Sequence, residues 1–82
     1  MIHARDDYNR IQDPAGKIGE DEPVFMVRAK DELAPRIMEY WATLWEASGD
    51  NLEHTEMADM VRDHAKKARE WQKIHGCKRA DL

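Results

Sequence analysis

A tyrosine ring, an amide and three cationic side chains group around one predicted loop near the start of the chain: Tyr8, Asn9, Arg10, Lys17 and Arg28. A tyrosine ring can stack on a nucleobase, and an arginine can hold a phosphate through two parallel hydrogen bonds. These residue types therefore predict a binding site for a small anionic ligand such as a nucleotide. The alternative is a polar turn whose charges are simply solvated.

Arg28 is the residue on which these two interpretations differ most. It directly follows residues 24–27 (VFMV), a continuous apolar run, so we expect its aliphatic stem to be partly buried. A buried guanidinium needs carboxylates, and Asp13, Asp21 and Asp31 are near in sequence. The first prediction for Arg28 is an ion pair that joins the loop to the following helix, and a ligand contact is the second.

The sequence contains no catalytic or metal-binding motif. Gly16 and Lys17 lack the glycine spacing and the Ser/Thr of a phosphate-binding loop, and the acidic triplet at 20–22 lacks EF-hand spacing. Three histidines on one predicted helix face are about 15 Å apart along the axis, too far for one ion: His54, His64 and His75. His75 with Cys77 is a weak metal signal, and nothing near Cys77 predicts a nucleophile. We expect no enzyme, no metal and no cofactor.

Turn signals indicate how the loop is built. Residues 13–16 (DPAG) predict a turn in which the aspartate accepts a backbone hydrogen bond and the glycine adopts a positive φ. Residues 8–11 could form a short strand. Residues 24–27 are typical of a buried strand, with a helix that begins at Pro23 as the alternative.

A first helix is predicted after this loop. Asp31 is its expected N-cap, Pro35 lies in its first turn, and Ser48 with Gly49 ends it. Its apolar residues recur at helical spacing, and Tyr40 flanks them: Leu33, Ile37, Trp41, Leu44 and Trp45. We expect this face to pack.

A second helix is predicted from about Leu52 to His75, closed by Gly76. Its apolar stripe has alternating spacings of four and three, which is typical of a helical hairpin or a coiled coil: Met57, Val61, His64, Ala68, Trp71 and His75. The sequence therefore predicts a single α+β domain over 1–82, with short N-terminal strands and a loop followed by an antiparallel two-helix hairpin. Residues 1–7 and 77–82 are expected to be flexible.

The aromatic side chains exceed what a two-helix monomer easily covers: Tyr40, Trp41, Trp45 and Trp71. We expect Trp71 to pack against the other two tryptophans. Surplus aromatic surface on a small chain predicts a subunit interface, and hence a homodimer or a higher oligomer. Two subunits could also supply the walls of a shared ligand pocket.

Composition limits the classes of protein that fit. The chain has 82 residues, 41% apolar and 37% charged, with one cysteine, which excludes a fold built on intrachain disulfides. The lack of a ~20-residue apolar run and of a secretory apolar core predicts a soluble cytoplasmic domain without a membrane partner. The charge is −8 over residues 1–60 and +4 over 61–82, which suits a helix macrodipole, head-to-tail association or an anion-binding patch. The net charge of −4 argues against sequence-specific DNA binding.

The segments YNRIQDPAGKI, GEDEPVF, MVRAKDELAP and EWQKIHG, with the Trp-bearing helix between them, cover most of the chain. They resemble a group of small uncharacterised proteins encoded by tailed phages and prophages. The resemblance implies the host cytoplasm as a setting and, by association, a role against host defence. The leading hypothesis is a non-enzymatic phage-type accessory protein that sequesters a nucleotide immune signal. The alternative is a protein–protein inhibitor of a host defence complex, anti-CRISPR-like, acting through the Trp face or the acidic loop.

Overall fold

The computed structural model describes residues 1–4, 13–49 and 52–79. Its elements are two short strands followed by two helices: β1 (Ile2–His3), β2 (Pro23–Val24), α1 (Ala34–Ala47) and α2 (Leu52–His75). The two predicted helices are confirmed, and they pack against each other. β1 and β2 pair in parallel, with Ile2 opposite Pro23. The strand predicted at residues 8–11 lies outside the described residues.

The apolar run at residues 24–27 forms a strand only at its first residue. β2 ends at Val24, and Phe25 is 70% exposed, so neither the longer buried strand nor the alternative helix is present. The physical reason is the length of the partner, because β1 offers only two residues to pair with. Without a longer ladder, the rest of the run has no partner strand among the described residues to hold it in a sheet.

The turn predicted from residues 13–16 is confirmed in its details. The Gly16 amide donates to the Asp13 carbonyl at 3.0 Å, and Gly16 has a φ of 63°. The Asp13 side chain also accepts from the Ile18 amide at 2.7 Å. Aspartate and glycine therefore play the two local roles that the sequence assigns to them.

The start of α1 differs from the prediction by two residues. The N-cap position is Leu33, while the Asp31 carboxylate accepts from the Leu33 amide at 2.8 Å and stabilises the turn before the helix. The backbone explains the difference, because Asp31 forms a bridge with Lys78, and the Glu32 amide donates to the Lys78 carbonyl at 2.9 Å. Pro35 lies in the first turn as predicted, where its missing N–H costs no helical hydrogen bond.

Both predicted helix ends are confirmed. At the end of α1 the Ser48 amide donates to the Leu44 carbonyl at 3.1 Å, and the Ser48 hydroxyl donates to the Trp45 carbonyl at 2.7 Å. At the end of α2 the Gly76 amide donates to the Gln72 carbonyl at 2.7 Å with a φ of 78°. Glycine adopts this left-handed conformation at low cost, which is why the helix stops there.

The buried residues of the two helices, as far as the structure describes them, have small side chains: Ala34, Pro35 and Ala42 in α1 and Ala58, Ala65 and Ala68 in α2. Larger side chains beside them, such as Met38 and Val61, are half-buried. Two seven-residue steps, from 35 to 42 and from 58 to 65, keep the buried residues on facing sides of the two helices. Small side chains at the contact let two helices approach closely. We call these six residues the alanine seam.

Both predicted packing stripes are therefore wrong in their rotation about the helix axis. In α2, Ala68 is buried and Val61 is half-buried, whereas the other four predicted members are exposed: Met57, His64, Trp71 and His75. At 100° per residue the observed α2 face is rotated by roughly 60° from the predicted one. In α1, four of the predicted packing residues face away from the seam and are exposed: Leu33, Ile37, Trp41 and Leu44.

Polar contacts border the alanine seam. Arg62 forms a hydrogen-bonded ion pair with Glu46, and Arg69 forms another with Glu39. The hydrogen bond to Glu46 raises the pKa of Arg62 above its ordinary value, because it stabilises the protonated guanidinium. The Gln72 amide nitrogen donates to the carbonyls of Ala29 at 2.8 Å and Asp31 at 3.0 Å. The end of α2 is thereby joined to the turn before α1.

Enlarging a residue of the alanine seam should separate the helices. We expect Ala65→Leu to lower the free energy of unfolding by about 1–3 kcal/mol, because Ala65 is completely buried and the added methyl groups overpack the contact. The matched control is Ala47→Leu, at an exposed α1 position, for which we expect a change within about 0.5 kcal/mol. Urea unfolding followed by circular dichroism measures both. Equal effects of the two substitutions would contradict the seam.

Candidate functional site

The structure describes two of the five residues predicted to hold an anionic ligand. The side chains of Lys17 and Arg28 are both exposed. Tyr8, Asn9 and Arg10 lie outside the described residues. The grouping of all five around one ligand therefore stays a prediction.

Arg28 is exposed, and not partly buried as expected. The apolar residues that precede it do not cover its stem, since Phe25 itself points largely into solvent. Within the described part of the chain, no carboxylate forms an ion pair with its guanidinium. The contribution of Arg28 to the fold is made by its backbone, whose carbonyl accepts from the Asp31 amide at 2.9 Å.

A second candidate site is a continuous apolar surface on α1, which we call the α1 outer face. It consists of five large side chains that are 38–67% exposed: Leu33, Ile37, Tyr40, Trp41 and Leu44. Leu33 precedes the helix but has helical φ and ψ angles of −84° and −11°, so it continues the same surface. At 100° per residue this face lies opposite Pro35 and Ala42 in the alanine seam. Helix α1 is therefore apolar on two opposite sides.

The solvent side of α2 is very different. It carries exposed charged residues of both signs: Asp59, Asp63, Lys66, Lys67, Glu70 and Lys73. Asp63 and Lys67 form an ion pair at 3.6 Å along the helix. Met60 and Ile74 are also exposed on α2, at 61% and 78%, next to these charged side chains. The α1 outer face differs because its large apolar side chains lie side by side with no charged residue between them.

Two of the three charged side chains of α1 form ion pairs at the border of the alanine seam. Glu39 and Glu46 pair with arginines of α2, which leaves Arg36 as the third charged residue of the helix. Arg36 is exposed beside the α1 outer face. The face is therefore almost free of charge, as the centre of a protein contact surface tends to be.

A stacked pair of rings fixes one edge of this face. Trp41 and Trp45 lie 5.4 Å apart between ring centroids with an interplanar angle of 7°. Trp45 is half-buried between the outer face and the seam, so it holds the more exposed Trp41 in place. Trp71 stacks on His75 within α2, with ring centroids 4.5 Å apart, and its packing on Trp41 and Trp45 stays a prediction. Rigid aromatic side chains of this kind are the usual anchors of protein interfaces.

An open groove runs beside the α1 outer face. It has a volume of about 550 Å³ and is lined by Leu33, Arg36, Ile37, Glu39, Tyr40 and Thr43. Its lining combines apolar side chains with one cation, Arg36, and one anion, Glu39. A shallow, open groove of this composition suits protein side chains better than a small molecule, which needs an enclosed pocket.

The sequence predicts that Tyr40 and Trp41 lie at an interface, but it does not predict that Leu33, Ile37 and Leu44 are exposed. The signal that could have revealed it is the pair of seven-residue steps, from 35 to 42 and from 58 to 65. Residues as small as alanine at such spacing indicate a close helix contact, which then excludes the larger residues from the seam.

Neither a metal site nor a membrane-spanning helix is found in the described ranges. No group of three or more His, Cys, Asp or Glu side chains there is placed to hold a metal ion. None of the described helices is long and apolar enough to cross a membrane.

Replacing Arg28 separates its two predicted roles. We expect Arg28→Ala to change the free energy of unfolding by less than about 0.5 kcal/mol, because the side chain is exposed. If the loop binds an anionic ligand, cyclic and linear nucleotides should raise the melting temperature of the wild type and not that of Arg28→Ala. Lys30→Ala, two residues away, is the control for charge alone. A large loss of stability in Arg28→Ala would restore the structural ion pair as its role.

Comparison with protein-family models, with curated proteins and with solved structures finds no match to this chain. The resemblance to phage proteins therefore stays an expectation from the sequence. Function has to be argued from the surface of the molecule itself.

Proposed function

We propose that this chain is a non-enzymatic binding protein that contacts another protein through the α1 outer face. The observation that carries the proposal is the position of that face. Its five large apolar side chains lie on the solvent side of a helix whose opposite side already packs on α2. A helix that is apolar on both sides is typical of one buried on both sides.

The hydrophobic free energy available from covering the face is large enough to support binding to a partner. The five side chains expose on the order of 500 Å² of apolar surface, which is comparable to the largest apolar patch on a typical monomeric protein. This chain is much smaller than a typical monomer, so the patch is a larger share of its surface. At about 25 cal/mol per Å², covering it gives roughly 12 kcal/mol before the costs of association and side-chain ordering. Tyr40 and Trp41 would be the anchors of such an interface, since aromatic residues dominate binding energy.

We also propose that the two helices form an antiparallel hairpin, which gives the face a firm base. The order of the ion pairs supports this arrangement, because Glu46 pairs with Arg62 and the earlier Glu39 pairs with the later Arg69. The hydrogen bonds from Gln72 to the turn before α1 agree with it. A face built on packed helices loses little conformational entropy on binding.

The resemblance to phage proteins suggests a setting for this contact, namely the host cytoplasm and a role in countering host defence. In that setting the chain would act as a protein–protein inhibitor. Sequestration of a nucleotide-like anion is the second candidate function. The observation in its favour is the exposed guanidinium of Arg28, which has no ion-pair partner within the described part of the chain. The nucleotide titration of Arg28→Ala is its test.

Photo-cross-linking tests whether the α1 outer face touches a protein. Tyr40, 67% exposed, is replaced by p-benzoylphenylalanine, and Met60, 61% exposed on α2, is replaced in the control. After irradiation in the native host, we expect a protein adduct from position 40 and much less from position 60, because a covered side chain lies against its partner. Mass spectrometry of the adduct identifies that partner. Equal or absent adducts at the two positions would contradict the proposal.

A further inference from the structure

We propose that the partner on the α1 outer face is a second copy of this chain, packed about a two-fold axis with the two α1 helices antiparallel. The proposal rests on the proposed function, because it names the protein that the face contacts. Three properties of the face point to self-association: the spacing of its side chains, the charges beside it and its area.

The spacing of four of the five residues of the α1 outer face reads the same in both directions, and the fifth, Trp41, comes opposite Arg36 of the second copy. The four residues follow one another by steps of four, three and four: Leu33, Ile37, Tyr40 and Leu44. Such alternation is the pattern of a helix-to-helix contact. Turned end for end, the pattern superposes on itself, so that Leu33 meets Leu44 of the second copy and Ile37 meets Tyr40. A two-fold interface requires this self-complementarity.

The charges in the groove are also self-complementary. Arg36 and Glu39 line the same groove, one cation and one anion on one side of the face. A two-fold axis perpendicular to antiparallel helices brings that side of each copy against the same side of the other. In the register that pairs Leu33 with Leu44, Arg36 of each copy lies about 3 Å along the axis from Glu39 of the other. The two Glu39 residues lie about 1.5 Å apart along the axis, and each has Arg69 of its own copy and Arg36 of the other as counter-charges. Glu39 has an oxygen left for Arg36 of the other copy, since the described bond to Arg69 uses Oε1.

The area of the face is large for so small a chain. Its five side chains expose on the order of 500 Å², which is more than half of the ~800 Å² per partner of a standard interface. The chain has a further reason to use it. The buried residues in the described part of the chain are alanines and a proline, and small chains with a thin core commonly rely on oligomerisation. A second copy is the one partner present wherever the chain is made.

Cysteine pairing tests the geometry directly. In a Cys77→Ser background, Leu33→Cys and Leu44→Cys are made separately, oxidised alone, and then mixed before oxidation. We expect the mixture to form a disulfide-linked dimer and each variant alone to stay uncross-linked. In the antiparallel pair, identical positions lie roughly 16 Å apart along the axis, which is beyond disulfide reach. Cross-linking of each variant alone and not of the mixture indicates parallel helices and overturns the proposal.

Sedimentation equilibrium tests the association itself, using the wild type, Tyr40→Glu and Met60→Glu. We expect a dimer whose dissociation constant rises at least tenfold in Tyr40→Glu and stays within about twofold in Met60→Glu, because only the first buries a charge in the interface. Circular dichroism confirms that both variants keep their helices. Equal dissociation constants in the three proteins, an oligomer larger than a dimer, or a wild-type monomer up to millimolar concentration overturns the proposal.

The failure of this inference can be told from the failure of the proposed function. A monomeric wild type whose photoprobe at position 40 still cross-links to a different protein overturns the second copy and leaves the contact face standing. A monomer without any position-40 adduct overturns both.

Discussion

The close approach of α1 and α2 along the alanine seam is the constraint on which the rest of this structure depends. Buried alanines and a proline leave little room between the helices, so the ion pairs of Glu39 and Glu46 can reach across the border of the seam. The same approach brings Gln72 to the carbonyls before α1. Small side chains at the contact thus position the polar links that join the two helices.

The seam also decides where the large apolar side chains go. Leu33, Ile37, Tyr40, Trp41 and Leu44 do not fit between closely packed helices and lie on the opposite side of α1. A monomer gains little from such an arrangement, because the largest hydrophobic groups of the helix stay in water. The arrangement becomes favourable once a partner covers them. This is the basis of our proposal that the α1 outer face is half of an interface, with Arg36 and Glu39 at its side.

Local features of this fold could be predicted, and non-local ones could not. The turn at 13–16, the stop at Ser48 and the α2 end at Gly76 depend on neighbouring residues, and each is where the sequence indicates. The buried side of each helix depends on the other helix, and ranking residues by hydrophobicity favours Trp and Leu over alanine. The pairing of Lys78 with the turn before α1 is likewise invisible locally. In the candidate site, the number of aromatic residues in the sequence predicts that Tyr40 and Trp41 lie at an interface. The exposure of Leu33 and Leu44 could be understood only once the packing of the two helices along the alanine seam was known.

The central claim is our proposal that a second copy of this chain covers the α1 outer face in solution. Hydroxyl-radical footprinting of the purified chain, normalised to the unfolded chain, measures this directly. The account predicts that Tyr40 is strongly protected while Ile74 and Met60, exposed on α2, react almost as in the unfolded chain. Protection of Tyr40 should decrease on dilution. If Tyr40 reacts as freely as Met60 at every concentration, the face is open to water and the account is contradicted.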